Sequence, residues 1–332
     1  MASKTAVTLE QTYQFYDLSL SYEGKRPKTI GVYLAVLRRF LAYLKERSET
    51  PLVKDLNTET VMEYIAHLKK VGKFEHHPFC PRDTSAQLSP MTIDQHVRTL
   101  KGFATWLMEK GYTKQNVLKD LARPKLPKLT IETLTDEEIQ KILASINTKT
   151  FLGARNYAII LVLLDTGLRC GELCGLTLDT VQMSSKHCYV KVMGKGQKER
   201  IVYLGRRAHE AMLNYLTFVR PHYANMDSGQ AFFLTDDGTP ISLGAVQLAL
   251  RCIAQKTGIE RLHAHLLRHT AATRYLVAGG DVISLQQKLG HAGLEMTNRY
   301  VHLAGRELAA IQERVAPMDR LDIKPMRVPK ER

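Results

Sequence analysis

Cysteine is scarce and unpatterned in this 332-residue chain: Cys80, Cys170, Cys174, Cys188 and Cys252 are an odd number without framework spacing. That excludes a disulfide-stapled secreted scaffold and suits free thiols in a reducing compartment. Long apolar runs are missing too. The longest, Ala158 to Leu164, is far too short to span a bilayer, and the first thirty residues hold no signal-peptide core. Acidic charge is the minority sign, with 33 Asp and Glu against 47 Lys and Arg and a net charge of +14. What is present is ordinary for globular protein, 44% hydrophobic and 24% charged, which excludes a wholly disordered chain. The length suits about two domains, each able to bury its own core. The expectation is a soluble, cytoplasmic, basic protein.

The charge is spread over both halves. Residues 1–130 carry 21 Lys and Arg against 13 Asp and Glu, and the remainder carries 26 against 20. Two basic domains suit a long polyanion that both grip, although a high isoelectric point also simply favours solubility.

Apolar periodicity predicts helices over 9–22, 29–46 and 58–70, the second marked by Ile30, Tyr33, Leu34, Leu37, Leu41 and Leu44. Ser89 reads as an N-cap with Pro90 at the first helical position, and Gly111 closes that helix. Lys28 in the basic turn, Arg38 and Arg39 on the second helix, and Arg98 and Lys101 on the fourth are candidate phosphate contacts or solvated faces. Residues 73–87 read as a polar loop; His76, His77 and Cys80 lack a fourth ligand at zinc spacing, so no metal is expected. Residues 114–134 are rich in cations, Lys125 among them, and contain Pro124 and Pro127. This reads as an extended linker able to follow a phosphate backbone.

The second domain is expected to open at Thr135 as a cap before an acidic first turn, with helices near 136–146 and 153–166. A hairpin follows, Cys188 to Met193 and Arg200 to Leu204, then helices near 207–220, 244–257, 265–278 and 281–289. The fold class is therefore mainly α with a small β-sheet. Boundaries are a helical domain at 1–113, the linker, a second domain at 135–316 and a flexible tail at 317–332.

Several polar residues interrupt apolar helices in ways that a plain core does not need. Arg169 follows a glycine break, and Glu172, three residues on, shares a face and can orient its guanidinium, or the two form a structural ion pair. His265 and Arg268 lie three apart on one helical face with Leu266 and Leu267 opposite, a pair that can hold a phosphate and exchange a proton. Lys195 sits in a glycine-flanked hairpin tip, where it can reach into a site or serve solubility. His291 follows a Leu-Gly pair at a helix end, and Tyr300 lies nine residues later beside Val301.

In this order the pieces resemble the tyrosine recombinase, or phage integrase, family. The near-complete blocks are Thr-Gly-Leu-Arg-x-Gly-Glu-Leu, Gly-Lys-Gly-x-Lys-x-Arg, His-x-Leu-Arg-His-Thr and Leu-Gly-His, followed by the tyrosine. The resemblance covers essentially the whole chain. It implies an N-terminal helical core-binding (SAM-like) domain and an α+β catalytic domain. It also implies site-specific cutting and rejoining of DNA through a 3′-phosphotyrosyl intermediate, without metal or cofactor.

By that resemblance Tyr300 is the nucleophile, and Arg169 and Arg268 bind the non-bridging oxygens and stabilise the transition state. Lys195 protonates the leaving 5′ oxygen, His265 assists deprotonation of Tyr300, His291 donates to the phosphate, and Glu172 holds Arg169. The residue chemistry agrees: a phenol with pKa about 10 needs surrounding cations to act near neutral pH. The implied partner is double-stranded DNA with an inverted-repeat core site, gripped by a homotetramer on two duplexes. An amphipathic helix after Tyr300, marked by Leu303, Leu308, Ile311 and Val315, would pack on a neighbouring subunit. With no arm-binding domain ahead of the first helix, one binding mode is expected.

Two departures are visible: Ala264 stands where the family often has proline, and the 73–87 loop exceeds that of compact members. The loop tilts the expected errand towards integration or excision of a mobile element. The alternatives are Xer-like resolution of chromosome or plasmid dimers, a type IB topoisomerase, and a non-enzymatic DNA-binding protein, which would leave the polar constellation unexplained.

Overall fold

The computed structural model describes residues 7–70, 87–126, 131–184, 188–194, 199–291, 293–304 and 316. The chain divides into two compact units, Met1–Leu129 and Thr130–Arg332.

In the first unit the helices are α1 (Leu9–Tyr22), α2 (Pro27–Lys45), α3 (Thr58–Lys70) and α4 (Pro90–Glu109). The starts follow from capping chemistry. Thr8 and Gln11 exchange side-chain and backbone hydrogen bonds ahead of α1, and Ser89 accepts from Thr92 N–H ahead of α4, with Pro90 where no donor is needed. Leu37, Phe40, Tyr64, Leu100 and Leu107 form the core, each side chain contributing about 1.5–3 kcal/mol on burial. Tyr64 Oη lies 3.0 Å from His96 Nδ1 within it. Burial, then Arg39, pushes His96 down to about 4, so the imidazole is neutral and can accept the phenolic proton.

The expected extended linker begins later than residue 114. Leu118 and Leu121 are buried in this core, Arg123 grips buried Asp94 through Nε and Nη2 at 2.9 and 2.8 Å, and Lys101 Nζ donates to the Lys119 and Leu121 carbonyls. Two leucines three apart and a buried carboxylate outweigh the local charge and proline content.

The second unit contains α5 (Asp136–Ala144), α6 (Phe151–Thr166), α7 (Cys170–Cys174), β1 (Val181–Met183), β2 (Cys188–Met193) and β3 (Glu199–Tyr203). After these come α8 (Arg206–Asn214), α9 (Arg220–Tyr223), α10 (Leu243–Thr257), α11 (Ala264–Val277), α12 (Val282–Leu289) and α13 (Leu294–Ala304). The sheet is antiparallel in the order β1-β2-β3, with Val181 opposite Val190 and Val190 opposite Val202. On β2 one side, Cys188, Val190 and Val192, is buried while Lys191 on the other is half-buried, as alternation predicts. β1 is an additional strand that the sequence reading did not assign, three residues being too few to show a period.

The single helix expected over 207–220 is broken: a π-helical turn, Tyr215–Val219, separates α8 from α9. Pro221 lacks the N–H and the room for a regular α-helical continuation, and Tyr215 Oη accepts the buried Leu234 N–H at 2.9 Å. The apolar run of α6 supplies the centre of the unit, where Ile159, Ile160, Val162 and Leu163 are buried and the helix packs on α8 and α11. Ala264 takes the first position of α11, where proline is also accommodated.

Tyr300 sits within α13, which starts six residues before it and includes Leu303. The other markers of the helix expected after Tyr300, Leu308, Ile311 and Val315, lie outside the described residues, as do the tail 317–332 and all of the 73–87 loop except Gln87. Among the described residues, no helix is long and apolar enough to cross a membrane.

Candidate active site

The ends of α6 and α12 converge with the starts of α7 and α11 in the second unit. α6 ends at Gly167, whose φ of +66° is the left-handed conformation that closes a helix without a Cβ penalty. A Cβ there would meet Leu289 Cδ2 at 2.9 Å, so the glycine also lets α12 approach. The chain then turns to place Arg169 as the N-cap residue of α7.

Glu172, in the first turn of α7, is the centre of the electrostatics. Its Oε1 accepts from Arg169 Nη1 at 2.9 Å and its Oε2 from the Arg169 backbone N–H at 2.8 Å. Arg200, at the start of β3, clamps the same carboxylate with Nη1 and Nη2 at 3.0 and 2.8 Å. Burial alone would raise the Glu172 carboxyl. The Arg200 hydrogen bonds, with those from Arg169, outweigh it and hold the group below the usual carboxylate range.

Arg268 comes from the first turns of α11 and is buried. It donates from Nη1 to the Gly167 carbonyl at 2.5 Å and from Nη2 to the Leu289 carbonyl at 2.8 Å. The same Leu289 oxygen lies 3.4 Å from Arg169 Nη1, so the end of α12 gathers both arginines. Burial, then repulsion from Arg169, lowers the Arg268 guanidinium to about 10, which leaves it charged at neutral pH. Three of its five N–H groups serve protein acceptors, leaving two for an incoming anion. The Arg169 side chain remains 35% exposed, so the rest of its fork is open.

α12 ends at Gly290, φ +63°, where a Cβ would meet Arg200 Nη1 at 2.8 Å. Arg200 therefore lies flat against this turn, and its Nε donates to the Lys288 carbonyl at 3.0 Å. His291 follows. Its Nε2 is 3.0 Å from Arg268 Nη2 and its Nδ1 2.9 Å from Thr297 Oγ1. An arginine can only donate, so Nε2 accepts and the proton sits on Nδ1. Burial, then Arg268, pushes this imidazole down to about 4, so it is neutral.

Tyr300 on α13 is buried in a small cluster with Ala272, Leu276, Leu285 and Leu289. Its ring stacks at 6.4 Å on that of His291, and its Oη is 2.8 Å from His269 Nδ1. Burial raises the phenol, while Arg268, Arg299 and Arg169 act in the opposite direction. His265, one turn earlier on α11, is exposed, and its ring lies 6.5 Å from that of His269.

The structure thus brings together Arg169, Glu172, Arg268, His291 and Tyr300, with His265 at the rim; Lys195 lies outside the described residues. Three residues of this cluster were not singled out from sequence: Arg200, His269 and Thr297. Arg200 closes the Gly-Lys-Gly-x-Lys-x-Arg block, His269 stands four after His265, and Thr297 stands three before Tyr300, so spacing alone could have marked them. The cluster holds three arginines against one carboxylate, which suits a phosphodiester. Among the described residues, no group of His, Cys, Asp or Glu could hold a metal.

In the first unit Lys28 and Arg38 are exposed and Arg39 half-buried, with Arg38 Nη2 3.4 Å from Tyr13 Oη. Arg98 pairs with Asp94 and Gln95, Lys101 is engaged with carbonyls as above, and Lys125 is exposed. Arg98 and Lys101 are thus partly committed to their own unit.

Residues 132–307 match the model of the phage integrase family. The chain is 29% identical over 291 residues to tyrosine recombinase XerD of Halalkalibacterium halodurans, covering 87% of this chain and 92% of that one. It is 33% identical over 301 residues to tyrosine recombinase XerC 2 of Ralstonia nicotianae, covering 90% and 83%. Among solved structures, XerH recombinase bound to palindromic difH DNA matches with TM-score 0.69 at 20% identity, covering 95% of this chain and 91% of that one. A lambda integrase dimer bound to a core site matches with TM-score 0.66 at 17% identity, covering 90% and 78%. The chain belongs to the phage integrase family and is a tyrosine recombinase, an enzyme that cleaves and rejoins DNA by tyrosine transesterification.

Proposed function

We propose that this enzyme exchanges strands at a specific double-stranded DNA site with inverted-repeat arms, acting in the cytoplasm as a homotetramer on two duplexes. The observation that carries the reading is Tyr300, held against the Arg169–Glu172–Arg268 cluster with two imidazoles on its ring. Tyr300 Oη attacks the phosphorus, Arg169 and Arg268 neutralise the non-bridging oxygens, and Lys195 protonates the departing 5′ oxygen. His291 reaches the phosphate only after exchanging its present partners, since Arg268 and Thr297 occupy both ring nitrogens. Of the candidate cations of the first unit, Lys28, Arg38 and Lys125 are exposed and Arg39 is half-buried, and these four are the ones we assign to backbone phosphate.

Two errands use this apparatus. The XerC and XerD relatives favour resolution of chromosome or plasmid dimers slightly, whereas the long 73–87 segment favours integration and excision of a mobile element. The test is to express the wild type and Tyr300→Phe in cells, denature both, and sequence the DNA left covalently attached. Adducts confined to the wild type at one inverted repeat support strand exchange; a site at element ends indicates the mobile-element role, and one site per chromosome or plasmid indicates dimer resolution. Adducts scattered over many sequences support a topoisomerase-like activity, and adducts on the phenylalanine variant refute the role of Tyr300.

A further inference from the structure

We infer that His269 takes the proton from Tyr300 as its oxygen attacks, the part that the family resemblance places on His265. The inference rests on Tyr300 being the nucleophile. Among the described residues, three imidazoles stand near this phenol, and their partners separate them. His291 has its Nε2 lone pair on Arg268 and its Nδ1–H on Thr297, so it has no free acceptor. His265 is exposed, and its ring contact is with His269. His269 alone places a ring nitrogen, Nδ1, at hydrogen-bond distance from Tyr300 Oη, 2.8 Å, with the ring centroids 5.6 Å apart.

The charges around the pair agree with this role. His263 precedes α11, His265 and Arg268 share the helix with His269, and Arg299 lies beside Tyr300 on α13; Arg169 faces the phenol from the start of α7 and His291 from the end of α12. Burial, then His265, His263, Arg268 and Arg299, keeps the His269 imidazole neutral, so that its lone pair is available. The same arginines stabilise the phenolate that forms.

The step balances. As the Tyr300 oxygen–phosphorus bond forms and the phosphorus–5′ oxygen bond breaks, the phenolic proton passes to His269 Nδ1, making an imidazolium that already carries a proton on Nε2. The 5′ oxygen takes its proton from the general acid, for which Lys195 is the candidate. In rejoining, the imidazolium returns the proton to the tyrosine oxygen as the 5′ hydroxyl attacks.

The test uses single-turnover cleavage of a nicked duplex bearing the sequence recovered as wild-type adduct, across a pH series. His269→Ala is expected to cleave on the order of 10²-fold slower. It should lose the acidic limb of the pH–rate profile and regain rate with added imidazole. His269→Gln keeps a hydrogen-bonding group of similar reach but no basic nitrogen, so it should be as slow, while His265→Ala should keep an acidic limb, moved to higher pH because His269 loses a neighbour that lowers it. Thermal denaturation of each variant separates loss of fold from loss of chemistry. Wild-type rates from His269→Gln would reduce the contact to mere positioning and overturn the inference, as would loss of the acidic limb in His265→Ala but not in His269→Ala. Both results leave Tyr300 as nucleophile; a wild type that forms no adduct overturns that reading and this one together.

Discussion

Replacing Arg200 by alanine removes one arm of a buried carboxylate clamp, and the structure sets the cost. The Glu172 side chain is 8% exposed and that of Arg200 12%, so water cannot replace the lost partner without rearrangement. Breaking a buried pair by deleting one member typically costs about 3–5 kcal/mol. Glu172 keeps two hydrogen bonds from Arg169, so the expected loss is at the lower end, about 3 kcal/mol. For a catalytic unit of this size that corresponds to a fall in Tm of roughly 6–12 °C. The assay is thermal and urea unfolding of the wild type, Arg200→Ala, Glu172→Gln and the double variant. Because the two side chains share two hydrogen bonds, the cycle should give a coupling of about 1–3 kcal/mol. A loss below about 1 kcal/mol, or additive single effects, would refute the claim that this ion pair organises the site.

Gly290→Ala combines a left-handed backbone with a contact against Arg200, and should cost about 1–2 kcal/mol for the backbone alone. In an Arg200→Ala background the contact disappears, and urea titration should show the cost reduced to that backbone share. The carboxyl of Glu172 is held below its ordinary value, so its stabilisation is fully present above the unfolded pKa, about 4.3, and fades as pH falls through the folded value. Unfolding measured from acid to neutral pH should therefore steepen below that point in the wild type and flatten in Glu172→Gln. Arg169→Ala and Arg268→Ala should each lose several orders of magnitude in adduct formation while still binding DNA in gel-shift assays, and a loss of binding in place of chemistry would refute their role. Lys195→Ala should regain cleavage on a duplex whose scissile 5′ oxygen is replaced by sulfur, a better leaving group; no rescue would count against it as the acid.

The sequence by itself determined the helices with strong periodicity or caps, α1, α3 and α4 among them, because apolar spacing and capping are local properties. It also marked Arg169, Glu172, Arg268, His291 and Tyr300, the first four because each sits in a dense local motif, Arg169 and His291 just past glycine breaks, and Tyr300 because it follows those motifs in the family's order. Length limits that legibility. β1 is three residues long, and the π-helical turn before Pro221 answers to a tyrosine whose partner, Leu234, is 19 residues away. The tertiary structure alone decided that Leu118 and Leu121 belong to the first core, against the local signal of proline and charge. It also decided that Arg200 grips Glu172 across 28 residues and that His269, rather than His265, meets Tyr300 across 31. These are choices among chemically equivalent side chains. Composition and spacing offer two histidines on one helix face, and only the packing of α13 against α11 fixes which imidazole reaches the phenol.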